Sequence, residues 1–192
     1  MGKPYLLLDR DGTLIVEKNY LSDPSDVEFY EGIPEALQKV QRAGWGILVL
    51  TNQSGIGREL MGLHDMQAVN NRIQELLCPL DVRIDAFYYC PHLPNAGCQC
   101  RKPNRGMVDQ AIQDFGFDPT QAIVVGDKSS DVELGHRIGA KSVLVRTGYG
   151  LQEEELPTMS ADHVIDSLAD LPSLIGSIYG QCKDFEENLN YP

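Results

Sequence analysis

Three acids stand where apolar runs stop. In LLLDRDGTL, Asp9 and Asp11 follow the run that ends at Leu8, and Gly12 permits a sharp turn after them. In VGDKSSD, Asp127 closes a second run at Val125. Acids two positions apart on extended backbone point the same way and repel unless a cation lies between them. If the two runs are neighbouring parallel strands, Asp9, Asp11 and Asp127 would form an oxygen cage suited to Mg²⁺. Either acidic end taken alone reads equally well as an Asx-turn or a helix cap. A third run ends in the short donors Thr51, Asn52, Gln53 and Ser54, whose hydroxyl and N–H groups could hold a phosphate oxygen or simply cap a helix. Arg101 and Lys102 would bring positive charge to the same anion, one as a planar fork and the other as a compact point charge.

A second constellation is built from sulfur. Cys90-Pro-His92 and Cys98-Gln-Cys100 are separated by the five residues Leu93 to Gly97. Three thiolates and one imidazole fill a tetrahedral Zn²⁺ shell completely, which marks a structural site, since a catalytic one keeps a position open. A redox pair or free buried thiols are the alternatives. Arg101 follows Cys100 directly, so a zinc-pinned loop would hold Arg101 and Lys102 over the acids. Cys78 and Cys182 stand alone and read as core and tail thiols.

These residues need a scaffold that brings strand ends together. Short apolar runs, Tyr5 to Leu8, Ile47 to Leu50, Ile84 to Tyr89, Ala122 to Val125, Ser142 to Val145 and a weaker His163 to Ile165, alternate with helical stretches. The helices are expected over Pro34 to Ala43, His64 to Leu77, Arg105 to Phe115, Ser129 to Ile138 and near Leu168 to Leu174. Most strands are apolar on both faces, the pattern of a parallel sheet covered on both sides. Ile15 to Gly32, too polar for core, and Cys90 to Asn104, stiffened by prolines and cysteines, follow strands and are expected to wall a ligand site.

The 192 residues suit one domain over 1–180, followed by a polar, acidic tail over 181–192. A net charge of −12 without a basic cluster argues against a nucleic-acid partner. The N-terminal apolar run is only a strand long, so neither a signal peptide nor a membrane span is expected, and the chain reads as cytoplasmic. A monomer is the default.

Asp9-Arg10-Asp11-Gly12-Thr13-Leu14, Thr51-Asn52, Lys102, and Gly126-Asp127-Lys128 with Asp131 resemble, in order and spacing, the four motifs of the haloacid dehalogenase (HAD) superfamily of phosphatases. The resemblance covers Tyr5 to Gly148. It implies a Rossmannoid three-layer α/β sandwich with a parallel central sheet. By matched position Asp9 would be the nucleophile that forms an aspartyl-phosphate, and Asp11 the acid and base. Asp9, Asp127 and the backbone carbonyl of Asp11 would bind Mg²⁺, and Thr51 and Lys102 would hold the phosphoryl oxygens. Arg10 should face away from the reacting point, and Asp131 should support Lys128 or an outer water.

The cysteine loop narrows the resemblance to the branch of heptose-bisphosphate and histidinol-phosphate phosphatases, which lack a large cap domain. Leu50-Thr-Asn-Gln-Ser-Gly-Ile-Gly-Arg58 and Arg146-Thr-Gly-Tyr-Gly150 resemble the heptose side, although Gly57 and Glu59 depart from it. Ser54 stands where the histidinol side usually carries aspartate, which would suit an ammonium group. The implied reaction removes the C7 phosphate of D-glycero-D-manno-heptose 1,7-bisphosphate and leaves the C1 phosphate. Asn52, Gln53, Ser54 and Lys128 would line the substrate site, with Arg58 and Arg101 on the distal phosphate. The alternatives are histidinol-phosphate hydrolysis, or a zinc-stabilised phosphate-binding module without catalysis. The module would be expected to have lost one of the three acids. A nucleic-acid end phosphatase would need a positive surface, and a phosphomutase a cap.

Overall fold

The computed structural model describes residues 2–180, and the expected tail over 181–192 lies outside them. Six strands, β1 Tyr5–Leu8, β2 Gly46–Asn52, β3 Ala86–Cys90, β4 Ile123–Gly126, β5 Lys141–Val145 and β6 His163–Ile165, form one sheet in the order β3-β2-β1-β4-β5-β6. Every pairing is parallel. Between them run α1 Ile33–Arg42, α2 Ser54–Gly57, α3 Leu63–Leu77, α4 Gly106–Phe115, α5 Ser129–Ile138 and α6 Gly150–Glu154, and α7 Leu171–Tyr179 follows β6.

Side chains alternate across each strand, so one sheet builds two cores. Leu6, Leu8, Ile47 and Val49 pack with α1, α3 and α7 on one face. Leu7, Leu48 and Leu50 pack with α4 and α5 on the other. That arrangement explains why the central strands β1 and β4 are apolar throughout: neither of their faces meets water. No helix among the described residues is long and apolar enough to cross a membrane.

The β1 chain end is the point where the strand order reverses, with β2 on one side and β4 on the other. Loops leaving such a point diverge and open a crevice at the carboxyl ends. Asp9 follows β1 and Asp127 follows β4, and Asp9 N–H donates to Val125 O at 2.9 Å, tying the two ends together.

Two readings need refinement, and two short helices were not expected. The helix expected near Leu168 to Leu174 begins as a 3₁₀ turn, Leu168–Asp170, and continues as α7 to Tyr179. α2 and α6 have four and five residues, too short to show a helical period. Within Ile15 to Gly32, Ile15 and Leu21 are buried and Val27 and Phe29 pack on the first core, so the loop is anchored to the core at its apolar positions.

Candidate active site

The cleft at the strand ends has a volume of about 250 Å³ and is lined by Asp9, Asp11, Thr51, Asn52, Gln53, Ser54, Arg101, Lys102 and Lys128. Glu17, Asn19 and Tyr20 from one loop and Tyr149 from another complete the wall. Both expected wall segments thus contribute. Arg58, proposed for the distal phosphate, is exposed at the end of α2 and does not line the cleft.

Lys102 is the centre of charge. It is 4% exposed, and its Nζ lies 2.8 Å from Asp9 Oδ1, 2.6 Å from Asp131 Oδ1 and 2.6 Å from Leu50 O, to which it donates. Burial opposes its charge, but the carboxylates of Asp131 and Asp9 outweigh that and raise its pKa. Burial likewise opposes ionisation of Asp9, yet Lys102 and Lys128 hold its carboxyl below the usual range. Asp131, expected beside Lys128, instead pairs with Lys102. The reason is register: Asp131 sits in the first turn of α5 and points back at the sheet, where Lys102 arrives from the cysteine loop. Asn52 fixes that arrival, because its Oδ1 accepts from Lys102 N–H at 3.0 Å and its Nδ2 donates to Lys102 O at 3.2 Å.

Carboxylate oxygens of Asp9, Asp127 and Asp131 all lie within 4.8 Å of one another. Asp127 Oδ2 accepts from Tyr149 N–H at 2.9 Å, whereas its Oδ1 is buried without a hydrogen-bond partner. Burial and the neighbouring Asp9 push the Asp127 carboxyl up to about 8, and burial pushes Asp131 up to about 6 against the pull of Lys102. Gly12 makes room for Asp127: its φ is +86°, and a Cβ there would lie 2.2 Å from Asp127 Oδ2.

The Asp11 side chain lies outside this acidic group. Its carboxylate is bound by Arg10 and Gln53. Arg10 does not line the cleft, as expected, but neither does it leave Asp11. It is fully buried, and its guanidinium curls back to Asp11. Gln53 Nε2 donates to both Asp11 Oδ2 and Thr51 Oγ1, at 2.7 and 2.8 Å. Lys128 lies 3.8 Å from Asp127 Oδ1, 3.9 Å from Glu17 and 4.5 Å over the Tyr149 ring. Glu17 and Asn19 belong to the expected wall segment Ile15 to Gly32, whereas Tyr149 lies outside both expected segments. Only the glycines flanking Tyr149 hinted that backbone comes close there.

Beside the cleft, the donor atoms of Cys90, His92, Cys98 and Cys100 also fall within 4.8 Å of one another. Four of the six separations run from 3.2 Å (His92 Nδ1 to Cys100 Sγ) to 3.6 Å (Cys100 Sγ to Cys98 Sγ). Ligands about 2.3 Å from a tetrahedral zinc would be roughly 3.7 Å apart. The cluster therefore fits a closed metal shell.

A parallel sheet in this order, acids at the ends of its two central strands and a buried lysine between acids define a HAD-superfamily phosphatase, and the HAD-hydrolase-like family model matches residues 99–171. The chain is 38% identical over 179 residues to the D-glycero-beta-D-manno-heptose-1,7-bisphosphate 7-phosphatase of Haemophilus influenzae, covering 88% of this chain and 95% of that one. It is 40% identical over 179 residues to the enzyme of the same name from Haemophilus ducreyi, covering 89% and 97%. The chain belongs to the D-glycero-D-manno-heptose-1,7-bisphosphate 7-phosphatase family. Its fold superimposes on the D,D-heptose 1,7-bisphosphate phosphatase of B. bronchiseptica, a structure complexed with magnesium and phosphate, with a TM-score of 0.85 and 27% identity over 93% of this chain and 99% of that one.

Proposed function

We propose that this chain hydrolyses the C7 phosphate of D-glycero-β-D-manno-heptose 1,7-bisphosphate and leaves heptose 1-phosphate. The observation that carries the reading is near-full-length identity of 38% and 40% with enzymes named for that reaction. The β anomer follows from the same names.

In this reading the Asp9 carboxylate attacks phosphorus, and Asp11 delivers a proton to the departing C7 oxygen. Asp11 then takes a proton from the water that attacks the aspartyl-phosphate, which frees phosphate and restores Asp9. Thr51 and Lys102 hold phosphoryl oxygens as charge develops on them. Mg²⁺, when bound, would offset phosphate charge as a Lewis acid. Asp9, Asp127 and the Asp11 carbonyl would hold it. The donor set suits a hard cation, being all oxygen, buried, and with Asp127 Oδ1 lacking a donor. The C1 phosphate would meet Arg101, which lines the cleft and has a buried Nη1 with no hydrogen-bond partner. Loops rather than a large cap border the cleft, which favours a small metabolite.

Phosphate release should be compared on the β and α anomers of the bisphosphate and on histidinol phosphate, with Mg²⁺. The β anomer is expected to give the highest kcat/KM, by about a hundredfold over histidinol phosphate. Faster release from histidinol phosphate would overturn the substrate reading.

Zn²⁺ in the cysteine site would be structural, pinning the loop that delivers Arg101 and Lys102. Protein purified without chelator is expected to carry about one zinc per chain. Cys98→Ser should lower the thermal midpoint by about 5 °C or more and reduce turnover. Cys78, expected in the core, is an exposed thiol outside the cluster, and Cys78→Ser should change neither. Metal-free wild-type protein from zinc-replete expression would count against the site.

A further inference from the structure

Arg10 heads the fully buried side chains by volume, yet no step of the proposed reaction uses it. A guanidinium is costly to bury unless it is paired and hydrogen-bonded. Its arrangement answers that cost in a directed way. Nε donates to Asp11 Oδ2 at 2.9 Å and Nη2 to Asp11 Oδ1 at 3.2 Å, a side-on fork across both carboxylate oxygens. Nη1 donates to Asn70 Oδ1 at 2.9 Å. Asn70 interrupts the apolar stripe of α3 formed by Met66, Val69, Ile73 and Leu77, and it is buried there. Its Nδ2 turns to Met66 Sδ, 3.1 Å away, so its amide oxygen is aimed at Arg10.

An ionised carboxylate offers about four lone-pair sites. At Asp11, Arg10 Nε and Gln53 Nε2 occupy both sites of Oδ2, and Arg10 Nη2 occupies one site of Oδ1. One site remains, on Oδ1, and Asp11 lines the cleft. We infer that Arg10, locked by Asn70, is a positioning residue that holds Asp11 so that Oδ1 handles the proton of the reaction. The inference rests on the reading of Asp11 as acid and base. In the first half-reaction the Asp9–phosphorus bond forms, the phosphorus–C7 oxygen bond breaks, and the proton on Asp11 Oδ1 passes to that oxygen. In the second, the bond from the water oxygen to phosphorus forms, the Asp9–phosphorus bond breaks to release phosphate, and a proton of that water passes to Oδ1.

The test uses the leaving group. A sugar alkoxide needs a proton to depart, whereas p-nitrophenolate leaves without one. First-turnover rates are measured on the heptose bisphosphate and on p-nitrophenyl phosphate for wild type, Asn70→Leu, Asn70→Asp and Asp11→Asn. Asn70→Leu removes the acceptor for Arg10 and is expected to slow sugar release about tenfold or more while changing p-nitrophenolate release less than about twofold. Asn70→Asp keeps an acceptor oxygen and should restore the sugar rate to within about threefold of wild type. Asp11→Asn should show the same selectivity with a larger loss. Equal slowing of both substrates by Asn70→Leu, or slowing of neither, overturns the positioning role. Equal slowing by Asp11→Asn overturns the acid–base reading itself. Should Asn70→Leu fail to fold, Asn70→Ser, polar but too short to reach Arg10, takes its place under the same outcomes.

Discussion

Asp9→Asn is expected to lower phosphate release by about ten-thousandfold or more. The amide matches the carboxylate in shape but is a far poorer nucleophile toward phosphorus, so the loss should fall on kcat. The fold should survive. Lys102 loses one carboxylate partner but keeps Asp131 at 2.6 Å and the Leu50 carbonyl at 2.6 Å. Nor does the substitution touch the four thiolate and imidazole donors. Circular dichroism, zinc analysis and phosphate release measured on one preparation check all three statements. Turnover above about a few per cent of wild type would remove Asp9 from the nucleophile's position.

Lys102→Met is expected to damage stability and catalysis together. The lysine is the shared cation of Asp9 and Asp131, both almost fully buried. Without it two carboxylates sit in a low-dielectric pocket beside a third, Asp127, and removing one partner of a buried pair costs about 3–5 kcal/mol. With the proposed contact of Lys102 to a phosphoryl oxygen also removed, kcat is expected to fall by about a hundredfold or more. Urea unfolding in Mg²⁺-free buffer isolates the stability effect, because an added divalent cation would partly replace the lost charge. The double variant Lys102→Met with Asp131→Leu separates the two effects. It removes one of the stranded acids, so stability should return by about 2 kcal/mol or more while activity stays low. Unfolding of the single variant at the wild-type midpoint would mean that the lysine does not hold these acids together.

The strands were readable because a sheet buried on both faces demands unbroken apolar runs, and the runs of β1, β2, β3 and β4 lead into Asp9, Thr51, Cys90 and Asp127. The sulfur cluster was readable because its four donors lie within eleven positions, so local chain geometry alone nearly assembles it. Side-chain direction was harder to read. Strand alternation turns Arg10 away from Asp9, but a long flexible side chain can double back, and only the position of Asn70 on α3 shows that it does. Asp131 was matched with its sequence neighbour Lys128. Its partner, Lys102, is 29 positions away and arrives through the loop that carries the cysteines. Arg58 had a plausible charge and neighbourhood but an unreadable orientation, because α2 is a single turn whose exposed end points off the cleft.

Residue type and order along the chain by themselves determined the sheet, the acids at its strand ends and the thiol–imidazole set, since each follows from short-range periodicity or close spacing. Tertiary structure alone decided which acid each cation serves. Ion pairing depends on distance and burial, and both are properties of strands, helices and loops packed from distant parts of the chain. It set Lys102 between Asp9 and Asp131, left Asp127 Oδ1 without a donor, and turned Arg10 onto Asp11.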